Sequence, residues 1–502
     1  MQQRGLAYRF DRITTAALVS VAAIAALLPI LLVRYLPLVD LPNHLGAIAI
    51  WRHFGDERFG FANHYDLNFG LVPYWGHYGF VYLFSWFLSV ELANRLFMIL
   101  SVLAMVTGLA ALLHVHGRPR ILALLSLPLY WGFPIAWGFI GYTASIGALF
   151  WGCVLLALLA DSPPKRRRWL LATNAAMGFL VYLLHPITFL LWLAAVAIYV
   201  PRRSPIVGLP SLVLLLASFL LAQESGLAIK SSFHLVGRWD SPLASLRALG
   251  GLWLFTGSYR HWLAGALLLG LVLTAILLQR NCPGQQHQRQ RDLRPWLLFA
   301  SVLLLYFALP RTLEQPFRWS GVNNRVAIIV PMMASLLVGR GQLRGLRRLF
   351  VCLPLVAVAI LWPIHVTTRA LAFDRQAADF FALVDRLPYN PAVLTVVFRA
   401  DDSTFGLSSW RHFPSYVQIR RGGYNPYAWN NGFPMTVKKG SVRPAPAAMN
   451  ARSLDLSRLV GHWEFFLTRH EPQGVFESRE DLELLEQRGA WKLWRRAGKE
   501  RQ

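Results

Sequence analysis

The chain has 502 residues, of which 55% are hydrophobic and only 15% charged, and its formal net charge is +25. A soluble globular domain carries about a quarter charged residues, so this composition excludes an ordinary soluble enzyme. The basic excess sits in short loops between apolar runs, as in the cytoplasmic loops of membrane proteins. No basic patch interleaved with stacking aromatics supports a nucleic-acid partner.

Five long stretches hold no Asp, Glu, Lys or Arg: Ile13–Val33, Leu96–Gly117, Ile121–Ala160, Trp169–Pro201 and Leu349–Thr368. A membrane-spanning helix needs about 20 apolar residues. Arg4, Arg9 and Arg12 put the N-terminus inside, before a first span at 13–36. Its apolar core is long and no A-x-A site follows, so it reads as an uncleaved helix rather than a signal peptide. The polar, aromatic stretch 37–90 is then outside. Spans follow at 91–115, twice within 121–160, and twice within 169–200. The first pair turns at the Pro- and Gly-rich segment 133–141, and the second breaks at His185-Pro186. Further spans are expected at 205–223, 263–279, 296–309, 326–339 and 349–366. With about eleven spans, every basic cluster between them falls inside, and 367–502 lies outside.

The expected fold is thus mainly α. A polytopic helical bundle, 1–366 with an outer loop at 37–90, precedes an extracytoplasmic α/β domain at 367–502. In that domain Ala392–Arg399 and Trp463–Leu467 read as strands, and Leu482–Trp494 reads as two strands around an Arg-Gly turn. Cys153, Cys282 and Cys352 have neither metal-site spacing nor the pattern of a disulfide framework.

Candidate chemistry gathers at the outer ends of spans. Asp40 opens the segment Asp40-Leu41-Pro42-Asn43-His44, and on a helix Asp40 and His44 share a face. Asp40 reads either as a general base or metal ligand, its basicity raised by partial desolvation, or as the cap of that helix. Asp66 and His77 lie in aromatic-rich stretches and read as pocket residues or as members of an interfacial aromatic belt. His185 is an ionisable group in an uncharged run, either functional or a hydrogen-bonded structural residue. Arg318 and Arg325, seven apart, suit a lipid-linked phosphate or ordinary headgroup contact. Asp401-Asp402 has no third metal ligand at useful spacing. There is no Walker loop, G-x-G-x-x-G, H-E-x-x-H or G-x-S-x-G motif, so no nucleotide cofactor is expected.

The order of parts resembles glycosyltransferase superfamily C, the polytopic enzymes that use polyprenyl-phosphate-linked sugars. The similar features are a first span with Asp40 at its outer end, a surface helix, and a Pro-containing segment Val72-Pro73-Tyr74-Trp75 running to Phe87. The Ala93-Asn94-Arg95-Leu96 start of the second span, the outer C-terminal domain and the late Asn324-Arg325 entry also match. Two features depart from the pattern: Leu41 stands where many members have a second acid, and Leu71-Val72 precede Pro73 without the frequent Lys. The resemblance implies glycosyl transfer on the outer face of the cytoplasmic membrane, from a polyprenyl-phosphate-sugar donor to an acceptor the sequence does not name. Asp40 would act as base, alone or with His44 around a divalent Mg or Mn ion. His77, His185, Arg318 and Arg325 would bind substrate, beside membrane lipid. A flippase for lipid-linked glycans and a non-catalytic assembly subunit are the alternative readings.

Overall fold

A computed structural model of the chain describes residues 2–70, 73–200, 207–209, 212–213, 216, 236–254, 270, 292–315, 319–338, 345–429, 434–446 and 454–498. It divides into two compact units. The first comprises Met1–Leu32, Leu71–His77 and Leu96–Thr367; the second comprises Val33–Gly70, Tyr78–Arg95 and Thr368–Gln502. The second unit therefore combines the C-terminal segment with most of the stretch 37–90.

The first unit is helical. Among the described residues three helices are long and apolar enough to cross a membrane: Val90–Val115, Ile140–Ala160 and the Cys352–Val384 part of a longer helix. Shorter apolar helices include Ala17–Leu32, Pro186–Tyr199 and Arg294–Ala308. The Ile140–Ala160 helix packs on Pro164–Leu184 and Pro186–Tyr199, and the latter packs on Arg294–Ala308. Glycines set the spacing. A Cβ on Gly147 would stand 2.8 Å from the Met105 backbone nitrogen, and one on Gly178 would collide with the buried Trp192 ring. Small residues let apolar helices approach closely where no hydrophobic force separates helix from lipid.

The run 121–160 holds two apolar helical stretches, Arg120–Ala136 and Ile140–Ala160, of which only the second is one continuous helix. Before Ile140 the chain forms a 3₁₀ turn, Arg120–Leu125, and two short helices, Ser126–Tyr130 and Phe133–Ala136. Pro128, Gly132 and Pro134 account for the breaks, through missing donors and an extended glycine. The 326–339 segment is likewise split into Val322–Val326, Ile329–Ala334 and a 3₁₀ turn. The last helix does not stop at 366 but runs Gly345–Val384. The expected spans 205–223 and 263–279 lie almost wholly outside the described residues.

In the second unit a four-stranded sheet has the order 393–397, 465–469, 491–496, 482–488. The first pair is parallel and the other two are antiparallel. The expected strand positions hold, and the hairpin turns at Gly489, whose φ is +52. The end of the long helix lies against this sheet through Phe380, which shares one helical face with Phe373. Phe380 sits 4.8 Å from Trp491, and Phe373 sits 4.4 Å from Trp410. Tyr35 stacks on Phe381 at 3.7 Å, and its backbone N–H donates to Asp374 at 2.7 Å. Aromatic burial of this kind dominates core energetics. Here it fixes two stretches, the 33–40 approach to Asp40 and the 409–416 segment.

Candidate functional site

Asp40 precedes the Leu41–Arg52 helix, with Pro42 in its first turn. Its side chain makes no capping hydrogen bond. Instead Oδ1 lies 3.5 Å from Nε2 of His412, with both side chains 13% exposed. The Trp410 and Phe413 rings bury on Phe373 and Phe380. Ser409 Oγ donates to the Pro37 carbonyl at 3.0 Å. These contacts bring His412 to Asp40 from the far end of the chain.

The pair is backed by polar side chains. Asn43 Nδ2 donates to His412 Nδ1 at 2.9 Å, and Ser415 Oγ donates to Asn43 Oδ1. His44 Nδ1 pairs with the Tyr78 hydroxyl at 2.8 Å. The Trp429 ring stands 4.9 Å from the His44 ring and 5.8 Å from that of His412, nearly perpendicular to the first. Burial, with Arg411 adding to it, pushes His412 down to about 3. The 3.5 Å approach of a carboxylate would act in the opposite direction, but desolvation dominates in so closed a site. Burial thus favours the neutral imidazole of His412 beside Asp40.

His185, His77 and Arg325 fall in the first unit. His185 has extended backbone and caps the Pro186–Tyr199 helix, its Nδ1 accepting from the Ile187 N–H at 3.2 Å. Its ring lies 4.8 Å from Tyr142 and 5.4 Å from Trp319. The Arg325 guanidinium, on a residue 3% exposed, lies 3.7 Å over Phe139 and 4.7 Å over Trp319. The Tyr142 hydroxyl donates to the Arg325 carbonyl at 2.7 Å. Tyr74, 5.7 Å from His185, has φ +127, a strained value held by its N–H on the Leu183 carbonyl. Such strain clusters at functional sites. His77 is buried with its ring 4.9 Å from Phe97.

The sequence candidates thus fall into two groups. Asp40 and His44 join His412, Asn43, Tyr78 and Trp429, while His185 and Arg325 share an aromatic cluster. Arg318 lies outside the described residues. Asp66 is exposed, 3.6 Å from Lys438. Asp402 organises a turn, Oδ1 accepting from the Thr404 and Phe405 N–H groups. Sequence reasoning missed His412, Ser415 and Trp429, which stand in a turn-rich stretch without periodicity. Among the described residues no three His, Cys, Asp or Glu side chains converge on a metal position. The donor set suits an Mg or Mn ion poorly. Such ions favour several oxygen ligands, whereas the Asp40–His412 pair brings one carboxylate and one imidazole.

No family model and no curated protein matches the sequence. Solved structures do match. The crystal structure of ArnT from Cupriavidus metallidurans bound to undecaprenyl phosphate superposes with a TM-score of 0.53 at 10% identity, covering 97% of each chain. The same protein in the apo state gives a TM-score of 0.51 at 10% identity, covering 97% of this chain and 98% of that one. The fold is that of ArnT. The ArnT likeness takes in both compact units. The resemblance drawn from the first 120 residues and the late Asn324-Arg325 entry therefore extends to the C-terminal segment, where sequence carried almost none of it.

Proposed function

We propose that this chain is a multi-pass glycosyltransferase of the cytoplasmic membrane. It moves a sugar from a polyprenyl-phosphate-linked donor to an acceptor hydroxyl on the outer face, the side on which the C-terminal segment lies. The observation that carries this is the Asp40 carboxylate, which leaves its helix uncapped and lies beside a neutral imidazole, in a chain with the ArnT fold.

The chemistry needs a base and a way to hold the departing phosphate. Asp40 takes the acceptor's proton as the acceptor oxygen bonds to the anomeric carbon. The bond from that carbon to the phosphate oxygen breaks, and polyprenyl phosphate departs with the electron pair. A neutral donor beside Asp40 orients it without the loss of basicity that a cation would cause. Arg325 is proposed for the phosphate, because a guanidinium stacked by its faces keeps planar edge donors matched to phosphate oxygens. His77, His185 and Arg318 are proposed to line the donor site, and His44 the acceptor side near Asp40. No step is routed through a metal.

Lipid-glycan and surface-glycan profiling of the native host, wild type against Asp40→Asn, tests this reading. Loss of one glycan modification, with the variant still accumulating in the membrane, is the expected result. An unchanged profile would remove Asp40 as the base and the reading with it.

A further inference from the structure

We propose that His412 is a positioning residue for Asp40. A one-way chain of hydrogen bonds from Asn425 through Ser415 and Asn43 fixes its imidazole as the Nε2–H tautomer and aims that proton at the Asp40 carboxylate. The inference deepens the proposed function and rests on it for its activity readout.

Backbone groups, which cannot reverse their roles, set the direction. The Tyr427 N–H donates to Asn425 Oδ1 at 3.0 Å. Asn425 must then present Nδ2 on its other side, and Nδ2 donates to Ser415 Oγ at 3.1 Å and to Gln418 Oε1 at 3.3 Å. Gln418 is oriented independently, because its Nε2 reaches the Gly423 carbonyl at 3.5 Å and the Tyr65 hydroxyl at 2.8 Å. With Ser415 Oγ already accepting, its single proton goes to Asn43 Oδ1. Asn43 then turns Nδ2 to His412 Nδ1 at 2.9 Å. An accepting Nδ1 leaves the ring proton on Nε2, 3.5 Å from Asp40 Oδ1. That separation is longer than an ordinary N–H···O bond. Catalytic hydrogen bonds are often long without substrate and tighten when it binds.

Asn43, Ser415, Gln418 and Asn425 are each 5% exposed or less. A buried polar group without a partner is costly, so reversing any one link strands its neighbours. Aligned donors also polarise one another, and here the alignment ends on the carboxylate. The other groups around the imidazole leave this role to the chain. Arg411 is its neighbour in sequence, Trp429 presents a ring, and His44 is engaged by Tyr78. The result is a carboxylate with one oxygen facing a neutral donor.

The test compares full-length variants in the native host and as purified protein. His412→Gln keeps an N–H donor at the Nε2 position, His412→Asn keeps only the Nδ1 side, and Asn43→Asp demands a donor from Nδ1 and so reverses the chain. The glycan product lost in Asp40→Asn should persist in His412→Gln. It should fall about tenfold or more in His412→Asn and Asn43→Asp, at equal membrane abundance. Equal losses in the Gln and Asn variants would reduce His412 to a packing residue and overturn the proposal. Nitrogen-15 spectra of histidine-labelled protein at neutral pH provide a readout free of activity, with the His412 signal assigned by its absence in His412→Gln. An unprotonated Nδ1 with a protonated Nε2 is expected. An Nδ1–H tautomer or an imidazolium would overturn the relay. If Asp40→Asn leaves every glycan unchanged, the functional reading fails, and these spectra still decide the relay.

Discussion

The Asp40 carboxylate heads the Leu41–Arg52 helix but lies 3.5 Å from Nε2 of His412 instead of on the helix's own amides. Removing a true capping side chain costs about 0.5–2 kcal/mol. Asp40 does not act as one, so Asp40→Ala should leave the thermal midpoint of the purified chain within a few degrees of wild type. The same substitution should abolish the glycan product. A large drop in the midpoint would return Asp40 to a structural role.

How much of this was legible follows from the range of the interactions. Val393–Val397 and Phe465–Arg469 are strands because β-branched and aromatic residues crowd them, and that signal is local. The break at His185 is local too, since Pro186 forbids helical geometry before it. The extension of the last helix beyond 366 was missed because hydropathy falls there. The face formed by Ala370, Phe373, Ala377, Phe380 and Val384 is nonetheless periodic and buried. Asp40 could be picked out from its place at a span end. His412 could not, because its link to Asp40 runs through side chains more than three hundred residues apart and no spacing rule reaches so far. The parallel pairing of 393–397 with 465–469 is equally silent in sequence.

Low pH should destabilise the second unit through His412. Its folded value is about 3, against an ordinary 6.5, so the unfolded chain binds a proton between those values and the folded chain does not. Stability is then full above about 6.5 and falls as pH drops toward 3. At pH 5 the loss from this residue is roughly 2 kcal/mol. The fall in thermal midpoint between pH 7 and pH 5 should therefore be smaller in His412→Gln by several degrees. Identical falls would mean that the ring is accessible to protons in the folded chain.

Helix spacing in the first unit should depend on Gly147. A Cβ there would meet the backbone of Ala104 and Met105 at 2.8–2.9 Å, and backbone cannot rotate aside as a side chain can. Gly147→Ala should cost about 1–3 kcal/mol, as overpacking does. Gly55→Ala, with nothing within 4 Å of the added carbon, is the control and should be near neutral. Thermal unfolding of both purified variants checks the contrast, and equal midpoints would show that the two helices can part without penalty.

Arg325 separates charge from geometry. Its guanidinium is layered on Phe139 and Trp319, an arrangement that uses the flat face of arginine and that lysine cannot reproduce. Arg325→Lys keeps the positive charge and loses both the stack and the planar fork. If phosphate recognition needs only a cation, the variant should retain near wild-type glycan product. If it needs bidentate donors held in plane, as proposed, product should fall by about tenfold or more, since a bidentate charged contact is worth about 1.5–3 kcal/mol. Membrane abundance should be measured beside it, because the stack also fills buried space. A loss of product at unchanged abundance supports phosphate recognition by the fork, whereas a loss that tracks abundance would make Arg325 a packing residue.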